Sequence, residues 1–156
     1  MQKITPFLWF DGCAEAAVEF YTGVFPDSKV LGVRRAPKGG PAPEGAVMAV
    51  DFQLEGQNFV AINGGPQFQF TPAISLFVSC EDQREVDRLW GKLTEEGEEL
   101  PCGWLTDRFG VSWQIIPQAL GERLFDADTV KAGNVMQAML KMKKIDIAAI
   151  EEAYAS

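Results

Sequence analysis

The sequence has no histidine among its 156 residues, which removes the imidazole that neutral-pH acid–base catalysis and most transition-metal sites rely on. Any Ser-His or Cys-His mechanism within the chain is thereby excluded. Cys13, Cys80 and Cys102 form no CxxC pair and no even disulfide set, so they read as thiols of a reducing compartment. Cys102, beside Gly103 and Trp104, reads as an inert thiol rather than a nucleophile. Two amides, Asn63 and Gln114, interrupt stretches that are otherwise apolar. Burial would demand hydrogen-bond partners for them, and a ligand carbonyl or a neighbouring backbone group could serve. The chain has 4 Trp and 11 Phe, and Trp9, Phe59, Trp104 and Trp113 all fall on expected strands. There they either fill a core or form walls that stack a flat, apolar ligand. Asp107-Arg108-Phe109-Gly110 is good turn chemistry, and Glu95-Glu96 with Glu98-Glu99 form a solvated acidic patch.

The elements that must position these groups follow from the apolar pattern. Ile4 to Phe10 reads as a strand ending at Asp11-Gly12. An amphipathic helix then runs over Ala14 to Val24 until Pro26 stops it. Lys29 to Arg35 is a strand, and residues 37–43, with three prolines and two glycines, are an exposed loop. Val47 to Leu54 and Gln57 to Asn63 form a hairpin around Glu55-Gly56. The order then begins again with a strand from Ala73 to Cys80 and a helix burying Val86, Leu89, Trp90 and Leu93. Short strands over Gly103 to Asp107 and Val111 to Ile116 complete this second unit. An offset of 69 superposes Phe7-Leu8-Trp9 on Leu76-Phe77-Val78 and Ala17 on Val86, while 54 superposes Gly56 on Gly110 and Phe59 on Trp113. Two amphipathic helices, Thr129 to Met142 and Ile145 to Tyr154, follow and pack on the sheet or offer a Met-rich face to a partner or ligand.

Composition narrows the function classes. A hydrophobic content of 47% is that of a globular domain, and the length suits one domain over residues 1–156. Within it, module one spans about 1–70, module two about 71–117 and a helical extension about 118–156. The formal charge of -8 repels nucleic acid and anionic membranes. No apolar stretch reaches the roughly 20 residues that cross a bilayer, and the first residues lack signal-peptide organisation, so a cytoplasmic location is expected.

Pro6-Phe7-Leu8-Trp9-Phe10-Asp11-Gly12, Glu19-Phe20-Tyr21, Phe25-Pro26, Asn63-Gly64-Gly65-Pro66, Ala73 to Val78, Cys102-Gly103-Trp104, Phe109 to Gln114 and Met142 to Ile147 together resemble one known group. It is the PhnB-like branch of the vicinal-oxygen-chelate (glyoxalase/bleomycin resistance/dihydroxybiphenyl dioxygenase) superfamily, often labelled a 3-demethylubiquinone-9 3-methyltransferase domain. The resemblance implies an α+β fold of two tandem βαβββ modules forming curved mixed sheets, with C-terminal helices after them. It also implies a small-molecule cavity in each module and a homodimer. Enzymes of that superfamily hold a divalent metal with His and Glu on the first and last strands of each module. Here those strands carry neither; Gln114 occupies the place of the terminal-strand Glu and Val60 the matching place in module one. No metal and no cofactor are therefore expected. The methyltransferase label also lacks support from the residues. S-adenosylmethionine sites use a glycine-rich strand-to-helix turn, whereas Asn63-Gly64-Gly65-Pro66 follows a hairpin and precedes no helix.

The reading that results is a metal-free protein binding a small molecule in an aromatic-lined cavity. Trp9, Asn63, Phe77, Cys102, Trp104, Trp113 and Gln114 are the candidate ligand-binding residues, and no catalytic residue is assigned. The alternatives are an enzyme of the same superfamily with a non-standard site, of lyase, isomerase or transferase type including the labelled methyltransferase, and a purely structural or partner-binding dimer.

Overall fold

The computed structural model describes residues 2–156; Met1, the first position of the expected domain, lies outside the described residues. Strand β1 (Phe7–Phe10) ends at a turn in which Gly12 takes φ 70°, a conformation open to glycine at little cost. Helix α1 (Ala14–Val24) buries Ala14, Ala17, Val18, Tyr21 and Val24, the stripe its spacing predicts. Strands β2 (Ser28–Arg35), β3 (Val47–Leu54) and β4 (Gln57–Asn63) follow, with a largely exposed irregular loop between β2 and β3. The β3–β4 hairpin closes through Glu55 and Gly56, both at positive φ (48° and 83°), as a twisted two-residue turn requires.

The same order then repeats in β5 (Leu76–Cys80), α2 (Gln83–Leu93), β6 (Glu98–Glu99), β7 (Trp104–Thr106) and β8 (Ser112–Pro117). Sheet order is β1-β4-β3-β2 in one module and β5-β8-β7-β6 in the other. In each, the first and last strands run parallel and the remaining pairs are antiparallel. This is the expected α+β arrangement of two βαβββ modules with C-terminal helices. The chain divides into two compact units, one running to Phe70 and the other from Thr71 to Ser156.

Several boundaries differ from those expected: β1 starts at Phe7, where its ladder with β4 begins, rather than at Ile4, and the helix from Thr129 ends at Met139 rather than Met142. Strand β5 starts at Leu76 rather than Ala73, because the ladder with β8 begins there. Strand β7 starts at Trp104 rather than Gly103, because Cys102 and Gly103 adopt positive φ within a single 3-10 turn over Pro101–Gly103. The ladders also correct the repeat register. Phe7 pairs with Val60 and Phe77 with Gln114, so the strands correspond at an offset of 70, not 69. The helices do match at 69, since the turn before α2 is one residue shorter than the turn before α1. A slip of one residue in a strand exchanges its faces, so the correction decides which side chains are equivalent.

In each unit the helix covers one face of its sheet. Unit one packs Leu8, Phe10, Phe52, Phe59 and Ala61 under α1, with Phe52 stacked on Tyr21 at 6.3 Å and on Phe59 at 5.3 Å. Unit two packs Leu105, Trp113 and Ile115 with Val86, Leu89, Trp90 and Leu93 of α2. Beyond β8 come α3 (Gln118–Leu124), α4 (Thr129–Met139) and α5 (Ile147–Ala155), the last two capped by Asp128 and Asp146. They gather Ile116, Leu120, Val135, Ile145 and Ile150 into a core against which Met139 and Met142 pack. Helix α4 stops before Met142, whose carbonyl accepts the Cys102 N–H while Lys143 accepts that of Gly103. The Gln83 amide holds the same segment by donating to the Ile145 carbonyl and accepting from the Ile147 N–H. Among the described residues no helix is long and apolar enough to cross a membrane.

Candidate functional site

Strand alternation leaves each sheet one face turned away from its own helix, and the ladders state which residues share it. In module two the register aligns Phe77 on β5, Gln114 on β8 and Trp104 on β7 into a single row on this open face. Two rings thus flank one amide. Phe77 is 59% exposed, a large value for an aromatic on a strand. The Gln114 Nε2 donates to the Ser75 hydroxyl at 3.0 Å, while its Oε1 accepts nothing among the described residues. The arrangement can hold a flat ring and offer it one hydrogen-bonding group. Next to Phe77 a groove of about 360 Å³ opens, walled by Ser79, Ile116, Pro117, Gln118, Gly121 and Glu122.

The open face of module one carries Phe7, Trp9, Val60, Ile62 and Asp51, with Arg34 one strand further across. Arg34 forks onto Asp51, Nε to Oδ2 at 2.9 Å and Nη2 to Oδ1 at 2.6 Å, and its guanidinium lies 6.0 Å over the Phe7 ring. The Asp51 carboxylate holds the Arg34 pKa above its ordinary value through that hydrogen bond and its charge. A recess of about 130 Å³ lies among Phe7, Leu31, Arg34, Asp51 and Val60. Trp9 is roofed by its own module. Its Nε1 donates to the Gly65 carbonyl at 2.9 Å, Phe68 meets it edge-on at 5.0 Å, and a Cβ on Gly64 would fall 2.2 Å from its ring. Gly64 and Gly65 thus cover the tryptophan.

The other candidate residues have different tasks. Asn63 pairs with Phe10 and therefore faces α1. Its Oδ1 accepts the Ala14 N–H at 2.9 Å, and its Nδ2 donates to Glu15 at 2.7 Å and to the Val47 carbonyl at 3.0 Å. A side chain so used fastens the helix N-terminus, with both amide hydrogens and the amide oxygen already engaged. Trp113 is buried under α2 and donates to Asp107 Oδ2 at 2.9 Å. Asp107, only 3% exposed, also accepts the N–H groups of Phe109 and Val111 and so organises the last hairpin. Cys102, half-buried, sits at φ 64° in the turn before β7 and outside the row. Cys80 is fully buried, and desolvation, with Glu85 nearby, pushes its pKa up to about 12, which makes it inert.

Arg34 and Asp51 lie on β2 and β3, outside the first and last strands that carry the superfamily's ligands. The signal was there for Asp51, the single charge in the apolar run Val47 to Leu54, on the face opposite Val50 and Phe52. No comparable signal marks Arg34, because β2 is polar throughout much of its length.

A family model described as 3-demethylubiquinone-9 3-methyltransferase matches residues 2–116. The chain belongs to that family. The PhnB protein from Bacillus cereus is 41% identical over 74% of this chain and 99% of its own, with a TM-score of 0.68. Protein PA1353 from Pseudomonas aeruginosa shares the fold at 20% identity, covering 75% of this chain and 98% of its own, TM-score 0.63. A glyoxylase/bleomycin resistance protein/dioxygenase domain from Frankia sp. is 18% identical over 75% of this chain and 92% of its own, TM-score 0.49. No curated protein matches the chain significantly. The PhnB-like family match ends at Ile116, so helices α3 to α5 lie beyond it.

The open faces of this family member do not suit a divalent ion of the superfamily type. Their first and last strands present Phe7, Trp9, Val60 and Ile62 in one module and Phe77, Ser79, Gln114 and Ile116 in the other. One hydroxyl and one amide are the only oxygen donors there, where such an ion wants carboxylates or imidazoles. Among the described residues no group of three or more His, Cys, Asp or Glu could hold a metal ion.

Proposed function

We propose that the protein binds a small, partly aromatic molecule on the open face of module two, without a metal ion. The observation that carries this reading is the row Phe77, Gln114, Trp104, in which two rings border an amide with an unused acceptor. Module one is less suited, since its tryptophan is already covered and its charges already paired. Methyl transfer, named by the family description, would need a place for S-adenosylmethionine, and the Gly64-Gly65 run directly after β4 lies against Trp9 and leads into no helix. Binding rather than catalysis is therefore the function proposed, in a cytoplasmic homodimer whose charge of -8 keeps it off nucleic acid and anionic membranes.

A thermal-shift screen of aromatic carbonyl and hydroxyl compounds tests the proposal. A ligand at a hundred times its Kd stabilises the native state by about 2.7 kcal/mol, a readily measured rise in Tm. Phe77→Ala and Gln114→Leu should abolish that rise while folding normally. The reading fails if no compound stabilises the wild type or if both variants respond as it does. Stoichiometric zinc, nickel, manganese or iron in the purified protein would overturn its metal-free part.

A further inference from the structure

The groove beside Phe77 differs from the row in its charge. Phe77 and Ser79 of β5 and Ile116 and Pro117 of β8 form its floor, while Gln118, Gly121 and Glu122 of α3 form its wall. Gln118 and Glu122, four positions apart with Gly121 beside the latter, lie on one side of that helix. Glu122 brings the single charge of the lining, and neither lysine nor arginine accompanies it. Its carboxylate has no partner among the described residues, since the adjacent Arg123 is taken by Glu151. Gly121 has only open space where a Cβ would stand, so the missing side chain keeps the groove clear despite the cost of glycine within a helix.

From these residues we infer that the groove takes an organic cation, an ammonium group carried on an apolar or aromatic body. The body lies on Phe77, Ile116 and Pro117, and the ammonium sits between the Glu122 carboxylate and the exposed face of the Phe77 ring. An anionic ligand would meet an unpaired carboxylate in a protein of charge -8, with no cation to receive it. This inference rests on the small-molecule reading above and adds the charge of the ligand. The wall from Gln118 to Glu122 lies beyond the family match, in the helical extension after β8.

The test uses the full chain and three probes of one ring each: benzyltrimethylammonium, benzyl alcohol and phenylacetate. In amide NMR spectra the ammonium probe should shift Phe77, Gly121 and Glu122 and bind about fivefold more tightly than the alcohol, the ratio expected of one exposed charge contact and one cation–ring contact. Phenylacetate should bind weakest. Glu122→Gln should remove the charge contact, bring the ammonium probe down to about twofold over the alcohol and leave the alcohol unchanged, and Gly121→Leu should close the groove to both. Equal binding of all three probes, or an ammonium affinity untouched by Glu122→Gln, overturns the inference while leaving the small-molecule reading in place. If no probe of any charge moves that face, both fall.

Discussion

The two open faces are built on the same four-strand order and finished in opposite ways. Module one sends the chain after β4 back over its own face, where Gly64 lies against the Trp9 ring and Gly65 receives its N–H. It also closes Arg34 on Asp51, so ring and charges are both satisfied from within and about 130 Å³ remains. Module two sends the chain after β8 into α3, leaving the Gln114 Oε1 without a donor and about 360 Å³ of groove, while Phe77, 59% exposed, is as open as its equivalent Phe7 at 56%. What separates a filled face from a receptive one is thus the path of the segment after the last strand, not the sheet. Function in such a duplicated scaffold resides in the loop added at each exit.

The largest expected effect lies in the hairpins. Asp107→Ala strips a buried acceptor from Trp113 Nε1 and from the Phe109 and Val111 N–H groups, and should cost about 3 kcal/mol in urea unfolding. Glu55→Ala in the corresponding turn of module one, exposed at both turn positions, should cost well under 1 kcal/mol by the same measurement. Equal costs would mean that the two hairpins are held alike. Next come two glycines with opposite signs. Gly64→Ala must displace the Trp9 ring and should destabilise by about 2 kcal/mol, with a change in tryptophan fluorescence. Gly121→Ala meets nothing and should stabilise by up to about 1 kcal/mol through helix propensity. A stabilising Gly64→Ala would refute the account of a covered face.

A smaller loss is expected at the start of α1. Asn63→Ala frees the Ala14 N–H and should cost about 1–2 kcal/mol by chemical denaturation, whereas Asn63→Ser, shorter but still an acceptor, should recover part of it. This residue also shows where sequence reading stops. The module order, both helices' buried stripes and the Glu55-Gly56 hairpin were legible, because period and positive-φ preferences are local properties of the chain. Gln114 was legible as an amide interrupting an apolar strand, and that strand is β8. The duty of Asn63 was not, because its partner Ala14 is 49 positions away and an amide looks the same whether it caps a helix or meets a ligand. Trp113 was ambiguous for the same reason until the register put it under α2. An offset wrong by one residue hid the equivalence of Phe7 with Phe77, and the short helix α3, with its groove wall, offered too few turns for a periodic signal.

The corrected register supplies the last and smallest contrast. Phe10 ends β1 and Cys80 ends β5 at the same place in the scaffold, each buried against its helix, so module two carries a titratable group where module one carries a ring. Burial raises the Cys80 pKa from 9.0 to about 12, because the thiolate would have to form away from water. The folded state then keeps its proton in a range where the unfolded chain releases one. Stability from this residue is therefore whole below about pH 9 and is lost as the pH rises from there toward about 12, by at most about 1.4 kcal/mol per pH unit. Neutral-pH stability should show no trace of it. Urea midpoints measured from pH 8 to 10.5 should fall less steeply in Cys80→Ala than in wild type, and iodoacetamide at pH 8 should modify Cys80 only after denaturation. Parallel pH slopes in the two proteins, or rapid alkylation of native Cys80, would show that the end of β5 is open to water and that the two strand ends are not equivalent.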